Sequence, residues 1–372
     1  MSDQNWSGIK GIISYTQDEK PETGRSGDMW YKTNDYTNEN KIEIKRVDSW
    51  GRFQKTRWGT GADYGYVCGG ASALAELSFI DRIVFPFDSG TATHVGNLDD
   101  ILRFSASNNS STHGYTFGGA TGPTTVYFVT SLYRFTFPFD SGTSTRIGNI
   151  SSVGNDIRLG PSGFNSSIHG YSCGAWTGSA SYTHIDRFTF PFDSGTASIV
   201  GNLGTLRRDM SGLNSSVHGY NCGGWDGASR LSNVDRIAFP FDSGTASNVG
   251  NLSISRLYSA GNNSSTHGYN FGGGDVAGGT LYISTVDKFI FPFDSGTASV
   301  VGSLSANKKQ LPGNNSSNCG YVSGGHDGGV LSTIERVDFP FDIGNVRNVG
   351  NLSNAMYWSS ATDGTDFVTQ LI

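Results

Sequence analysis

Charge is scarce in this sequence. Only 16% of residues are Asp, Glu, Lys or Arg, and 26 basic residues face 32 acidic ones, a net charge of −6. With no basic stripe to neutralise phosphates, a nucleic-acid partner is not expected. No apolar run approaches the ~18 residues that span a bilayer, so membrane insertion is not expected. The opening stretch, Met1 to Gly8, carries neither the basic nor the apolar region of a signal peptide, and no secretory route is expected. Cysteine is rare, with 4 in the chain. Cys68, Cys173 and Cys222 share one place in a repeat and cannot reach one another if the repeats lie side by side, so free thiols are expected, consistent with assembly in a reducing cytoplasm. No P-loop, no HExxH motif and no nucleophile–base set occurs; we expect no enzyme, no cofactor and no metal.

What the chain has is glycine and aromatics: 52 Gly, 23 Phe and 16 Tyr in 372 residues, without a collagen period. That mixture implies many short strands joined by tight turns, an all-β fold. FPFD begins at residues 85, 137, 190, 239, 291 and 339, at spacings of 52, 53, 49, 52 and 48. A repeat of that length explains how so long a chain can form one body, because each unit adds its own slice of core.

The unit Leu257–Leu304 parses into four strands: LYSAGNNSS, GYNFGG, the alternating VDKFIFPF, and TASVVGSL. The Pro of FPFD removes a ladder donor and belongs at a bulge or strand end, and the following Asp-Ser-Gly-Thr is a turn whose Asp can cap backbone amides. Arg158, Arg207, Arg256 and Lys308 each stand thirteen residues before Tyr171, Tyr220, Tyr269 and Tyr321. The Tyr-x-x-Gly-Gly strand, the acidic turn and this basic residue together resemble the kelch repeat over roughly residues 50–352. The outer-strand Trp is absent, and Cys173-Gly174-Ala175 breaks one double glycine. The resemblance implies a β-propeller of four-stranded blades, the architecture of the central domain of galactose oxidase, although no residues here match that enzyme's copper site.

Fragments at both ends extend the pattern. Residues 353–372 resemble strands one and two, with Phe367 near the Tyr place, and residues 28–50 can supply strands three and four. Joining 28–50 to 353–372 gives seven blades, the last composite; six blades with loose ends is the alternative. On this reading residues 1–27 are an attachment segment and 28–372 the propeller.

Several repeated residues invite a chemical reading and have a plainer one. His113, His169, His218 and His267 recur too far apart to share a metal. Asp88, Asp140, Asp193, Asp242, Asp294 and Asp342 lack the added oxygens of a calcium loop. The pairs Asp81-Arg82, Asp186-Arg187, Asp235-Arg236, Asp287-Lys288 and Glu335-Arg336 read as ion pairs between blades or with solvent. Asn-Ser-Ser at Asn109, Asn165, Asn214, Asn263 and Asn315 reads as a polar strand-one surface, in place of a glycan acceptor. The loops after Gly-Gly, by contrast, differ in every unit and emerge on one face. They carry the candidate ligand-binding residues Tyr127, Phe128, Trp176, Tyr182, Trp225, Asp226, Arg230, Tyr282, His326 and Asp327. Aromatics beside Asp or Arg on such loops suit sugar or protein surfaces.

Residues 21–33, PETGRSGDMWYKT, with the Trp at 50, resemble a short element of bacteriophage tail-fibre and other virion proteins, and the FPFDSGTA…VGNL…NSSTHGY unit is similar to repeats in structural proteins of phages. The resemblance implies a virion protein, an adhesin or decoration subunit assembled in the host cytoplasm. Its implied partners are other virion proteins and host-surface carbohydrate, with homo-oligomers forming through the N-terminal segment. A cellular kelch-type scaffold that binds another protein is the alternative.

Overall fold

The computed structural model describes residues 64–122, 127–151, 158–275 and 279–364, together with the backbone of five strands before residue 53. It divides into two units, Met1–Thr60 with Val368–Ile372, and Gly61–Phe367. In the first unit Gln4–Trp6, Ile13–Thr16, Met29–Tyr31, Ile42–Arg46 and Ser49–Arg52 form one sheet in sequence order.

The second unit is a six-bladed β-propeller, all-β among its described residues. In blade 5, for example, Ala260–Asn263, His267–Phe271, Thr285–Ile290 and Ser299–Ser303 pair antiparallel as strands one to four. Strand three is buried on both faces: Val286 packs in the cluster shared with the following blade and Phe289 in the cluster shared with the preceding one. It ends just before Phe291-Pro292, so proline costs the ladder nothing.

Blade 1 is the composite one. Its innermost strand, Ser360–Gly364, comes from the far end of the chain and pairs with Tyr64–Cys68 from Ser360↔Cys68 to Gly364↔Tyr64. The ring then closes on itself: Asn351 of blade 6 bridges Thr91 of blade 1 in parallel, as Asn97 bridges Thr143 and Asn251 bridges Thr297 elsewhere. This corrects the expectation of seven blades. Met29–Tyr31, Ile42–Arg46 and Ser49–Arg52 belong to the separate five-stranded sheet, and Ser360–Gly364 fills the innermost place of blade 1. Phe367, expected on a further strand, lies outside the described residues.

Each blade is clamped to the next by the same three contacts. The strand-two tyrosine hydroxyl accepts the backbone N–H of the second Phe of the next FPFD: Phe139 to Tyr66 at 2.9 Å, Phe192 to Tyr115 at 3.2 Å, Phe241 to Tyr171 at 3.1 Å, Phe293 to Tyr220 at 3.2 Å, Phe341 to Tyr269 at 3.1 Å and Phe87 to Tyr321 at 2.9 Å. The tyrosine ring stacks on the first Phe of the same FPFD, as Tyr220 on Phe291 with centroids 5.2 Å apart and Phe85 on Tyr321 at 4.7 Å. The strand-three cation pairs with the FPFD aspartate of the next blade in all six places, among them Arg82–Asp140, Lys288–Asp342 and Arg336–Asp88. The turn aspartate is thus an inter-blade anchor as well as a turn residue. These pairs are exposed on the aspartate side and contribute little each; the hydrogen bond and stacked rings are buried and hold the seam.

The acidic partner of each strand-three pair turns the other way, into the blade. Arg158–Asp186 at 3.1 Å, Arg207–Asp235, Arg256–Asp287 at 3.0 Å and Lys308–Glu335 at 3.1 Å are fully buried ion pairs. This explains the basic residue thirteen places before the tyrosine. In blade 2 both partners change together, to Leu102 and Tyr133, which pack in one apolar cluster. In blade 1 Met356 replaces the cation, and Asp81 rests on the Ser353 backbone N–H at 2.7 Å, its hydroxyl at 2.6 Å, and His94 at 3.5 Å. Burial pushes the Asp81 carboxyl upward, with Ser353 the main counterweight.

Candidate ligand-binding face

Strand two runs from its histidine to its double glycine, so the two motifs mark opposite ends of a blade. At the histidine end the residues serve local structure. Ser110, Ser166, Ser215 and Ser264 of Asn-Ser-Ser each accept the backbone N–H of the histidine that follows, at 3.0 Å, fixing the turn between strands one and two. Burial lowers the pKa of His113, His169, His218 and His267, and the adjoining strand-three cation lowers it further. Among the described residues no group of three or more His, Cys, Asp or Glu is placed to hold a metal.

The double-glycine end is built differently. Both glycines take left-handed backbone, as Gly272 at φ 59° and Gly273 at φ 99°. A Cβ on Gly272 would meet the carbonyl oxygen of Lys308 at 2.7 Å, so the chain there must be glycine for the linker entering the next blade to pass close by. Blade 3 breaks the pair: Ala175 sits at φ 146°, and the hairpin continues through Trp176 and Ser181, carrying the Trp176 ring beyond the usual end of strand two.

The residue after each double glycine bridges the linker that enters its own blade. Arg103 pairs with Ala120, Leu159 with Trp176, Arg208 with Trp225, Leu257 with Gly274, Lys309 with His326 and Tyr357 with Ala71. The next linker residue in each case is Phe104, Gly160, Asp209, Tyr258, Gln310 or Trp358, and all six take left-handed backbone at φ between 55° and 65°. Left-handed backbone is strained for five of them, since only Gly160 lacks a Cβ. What holds them there is a closed circle of backbone hydrogen bonds. Each N–H donates to the carbonyl of the corresponding residue one blade back: Phe104 to Trp358 at 3.0 Å, Gly160 to Phe104 at 3.1 Å, Asp209 to Gly160 at 2.8 Å, Tyr258 to Asp209 at 2.9 Å, Gln310 to Tyr258 at 2.8 Å and Trp358 to Gln310 at 3.3 Å. One residue from every blade thus lines a small open cavity of about 90 Å³ around the ring axis.

Two of the sequence-predicted residues, Tyr282 and His326, join this ring through aromatic contacts. Tyr282 and His326 are stacked at 5.9 Å, with the Tyr282 hydroxyl 3.2 Å from His326 Nδ1. His326 meets Tyr357 at 5.5 Å, Tyr357 meets Trp358 at 4.2 Å, Trp358 meets Phe104 at 4.0 Å, and Phe104 meets Tyr258 of the opposite blade at 6.3 Å. Cations sit on this run: Lys309 Nζ 4.7 Å from the Tyr282 centroid, and the Arg103 guanidinium 5.6 Å from that of Trp358 while paired with Glu76 at 3.1 Å. Burial lowers the pKa of Lys309, and burial with Lys309 lowers that of His326.

The remaining candidates fall in other places. Phe128 packs edge-on against Trp176 at 5.5 Å, and Arg208 lies over the other partner of that pair, 5.2 Å from the Trp176 centroid. Tyr127 is exposed beside Phe128. Tyr182 lies 5.5 Å from the buried Arg158 guanidinium. Trp225 is tied through its backbone to Arg208 and Arg230, and Arg230 stands 3.8 Å from Asp275. Asp226 accepts the backbone N–H groups of Ala228 at 2.7 Å and Ser229 at 2.6 Å, which hold its carboxyl below the usual range. Asp327 accepts the N–H of Gly329 at 3.2 Å. These two acids shape their loops.

Sequence reading missed the axial residues. Their place in the repeat, two positions after the buried basic residue, varies from unit to unit and carries no motif that marks it. Burial raises the Asp209 carboxyl to about 7, against the opposing pull of Arg208 and a hydrogen bond with Tyr258. The face as a whole combines ring planes, paired cations and carboxylates on a rigid frame, an arrangement suited to recognition. A comparison with protein-family models found no match, and a comparison with curated proteins found none.

Proposed function

We propose that this chain is a bacteriophage virion protein, a tail-fibre adhesin or decoration subunit, whose kelch-like propeller binds host-surface glycan on the double-glycine face. The observation that carries the reading is the run of contacting rings from Tyr282 through His326, Tyr357, Trp358 and Phe104 to Tyr258, which leads from a variable loop to the ring axis. Sugars present C–H faces to aromatic rings and hydroxyls to carboxylates, guanidinium groups and amides, and this face offers both kinds of surface. The kelch-like assignment draws support from the buried pairs that the basic residues before each repeat tyrosine make with strand-three acids. The virion assignment rests on the Gly27-Asp28-Met29-Trp30-Tyr31 element and on the wording of the repeat itself. Binding is the role proposed, not catalysis.

A glycan array tests this. The folded protein is expected to be retained on a defined subset of glycans, and a variant carrying Trp176→Ala and Tyr282→Ala to lose that retention. A folded protein retained nowhere would turn the reading toward a neighbouring virion subunit as the partner.

A further inference from the structure

The axial cavity contains two buried polar atoms with nothing to bond, Trp358 Nε1 and Ser359 Oγ, beside the buried Asp209 carboxyl, whose side-chain hydrogen bond is with Tyr258. Asp209 is 6% exposed and Ser359 9%, and Arg208 Nε approaches Asp209 Oδ2 only to 3.5 Å. Orphaned buried polar groups cost ~1–3 kcal/mol each and are rare unless something satisfies them. Trp358 Nε1 can only donate, the Asp209 carboxyl accepts when ionised and can also donate when it holds its proton, and a serine hydroxyl does either. A ligand that answers all three must carry groups that both donate and accept, which describes hydroxyls.

The alternative for an aromatic-lined cavity with an acid is a quaternary ammonium ion. Two observations count against it. Arg103 already lies over Phe104 and Trp358, at 5.9 and 5.6 Å from their centroids, so those ring faces hold a cation. An ammonium also offers nothing to accept the Trp358 N–H. The cavity's size, about 90 Å³ and open to one side, admits part of one small ring and cannot hold a chain of them.

We infer that the axial cavity is a subsite for a single neutral, hydroxyl-bearing sugar ring, the terminal residue of a bound glycan. Its hydroxyls bond the Asp209 carboxyl, Trp358 Nε1 and Ser359 Oγ, and its C–H face rests on Tyr258. This rests on the reading of the double-glycine face as a glycan-binding surface. Gly160 contributes by what it lacks: a Cβ there would collide with Asp209 Oδ1, so only glycine lets the carboxylate reach the axis.

Titration of the whole chain with a panel of neutral monosaccharides (glucose, galactose, mannose and N-acetylglucosamine) followed by tryptophan fluorescence and by saturation-transfer NMR tests this. At least one sugar is expected to bind, with affinity reduced about tenfold or more by Asp209→Asn and by Trp358→Phe, each of which removes one hydrogen bond while keeping shape. Ile343→Ala, an exposed residue just after an FPFD aspartate and outside the cavity, is expected to leave monosaccharide affinity unchanged. Binding that survives Asp209→Asn and Trp358→Phe, or no response to any sugar in the panel, overturns the axial subsite. Should the glycan array still retain the protein in that case, the broader glycan-binding reading stands without it.

Discussion

The hydroxyl of Tyr321 accepts the backbone N–H of Phe87 at 2.9 Å, joining residues 234 positions apart. This bond spans the seam between the last blade and the first, and it has the same form as the five bonds between blades adjacent in sequence. A propeller whose ends meet through its ordinary contact leaves no blade unpartnered at the closure and keeps only the short edges of its blades.

Replacing Tyr321 by Phe keeps the stacked ring and strands the buried Phe87 N–H. The expected loss is about 1–3 kcal/mol in denaturant unfolding. Tyr220→Phe, at an internal seam, is expected to lose about as much. A Tyr321→Phe variant as stable as the parent, beside a destabilised Tyr220→Phe, would mean that the closing seam is open in solution.

Blade 2 predicts the outcome of an experiment in blade 5. Arg256→Leu leaves Asp287 buried without its cation, and Asp287→Tyr leaves Arg256 so; each is expected to cost about 3–5 kcal/mol. The double variant reproduces the Leu102 and Tyr133 pair that packs apolarly in blade 2. It is expected to recover most of the loss, giving a large favourable coupling in the double-mutant cycle. Additive costs would show that the paired change in blade 2 depends on its other neighbours.

Asp209 gives the stability of this protein a distinctive pH dependence. Its folded carboxyl titrates at about 7 against an ordinary value of 3.8, so between those values the folded chain keeps a proton that the unfolded chain releases. Stability therefore falls as pH rises through that window, by up to about 1.4 kcal/mol per pH unit from this group. Asp209→Asn removes this contribution. The melting temperature of the variant relative to the parent is expected to climb from pH 4 to pH 8; a constant difference would show that the carboxyl is not held protonated. Asp363, also raised to about 7 by burial, is present in both proteins and cancels from the comparison.

Much of the fold was legible because the repeat states it six times. Four strands per unit, the turn at FPFD and the face carrying the variable loops follow from alternation and punctuation. The blade count misled for a physical reason. Strand Ser360–Gly364 matches strand one of any unit, and its pairing with Tyr64–Cys68 is a long-range choice that local pattern does not specify. Met29–Tyr31 and Ile42–Arg46 are strands as their residues suggest, but alternation does not say which sheet they join. The candidate site was half legible. Tyr282 and His326 stood out as aromatics in variable loops, whereas Phe104, Asp209, Tyr258 and Trp358 occupy left-handed backbone without the glycine that usually announces it. Their conformation comes from the circle of hydrogen bonds around the axis, which exists only once six blades have assembled.

The central claim is that the double-glycine face engages a bacterial surface. The direct measurement is sedimentation of the labelled protein with intact cells from a panel of bacteria, beside the folded Trp176→Ala, Tyr282→Ala variant. The account predicts saturable binding to some strains, competed by glycans stripped from those cells and lost in the variant. Binding that the variant retains in full, or that stripped glycans fail to compete, would contradict it.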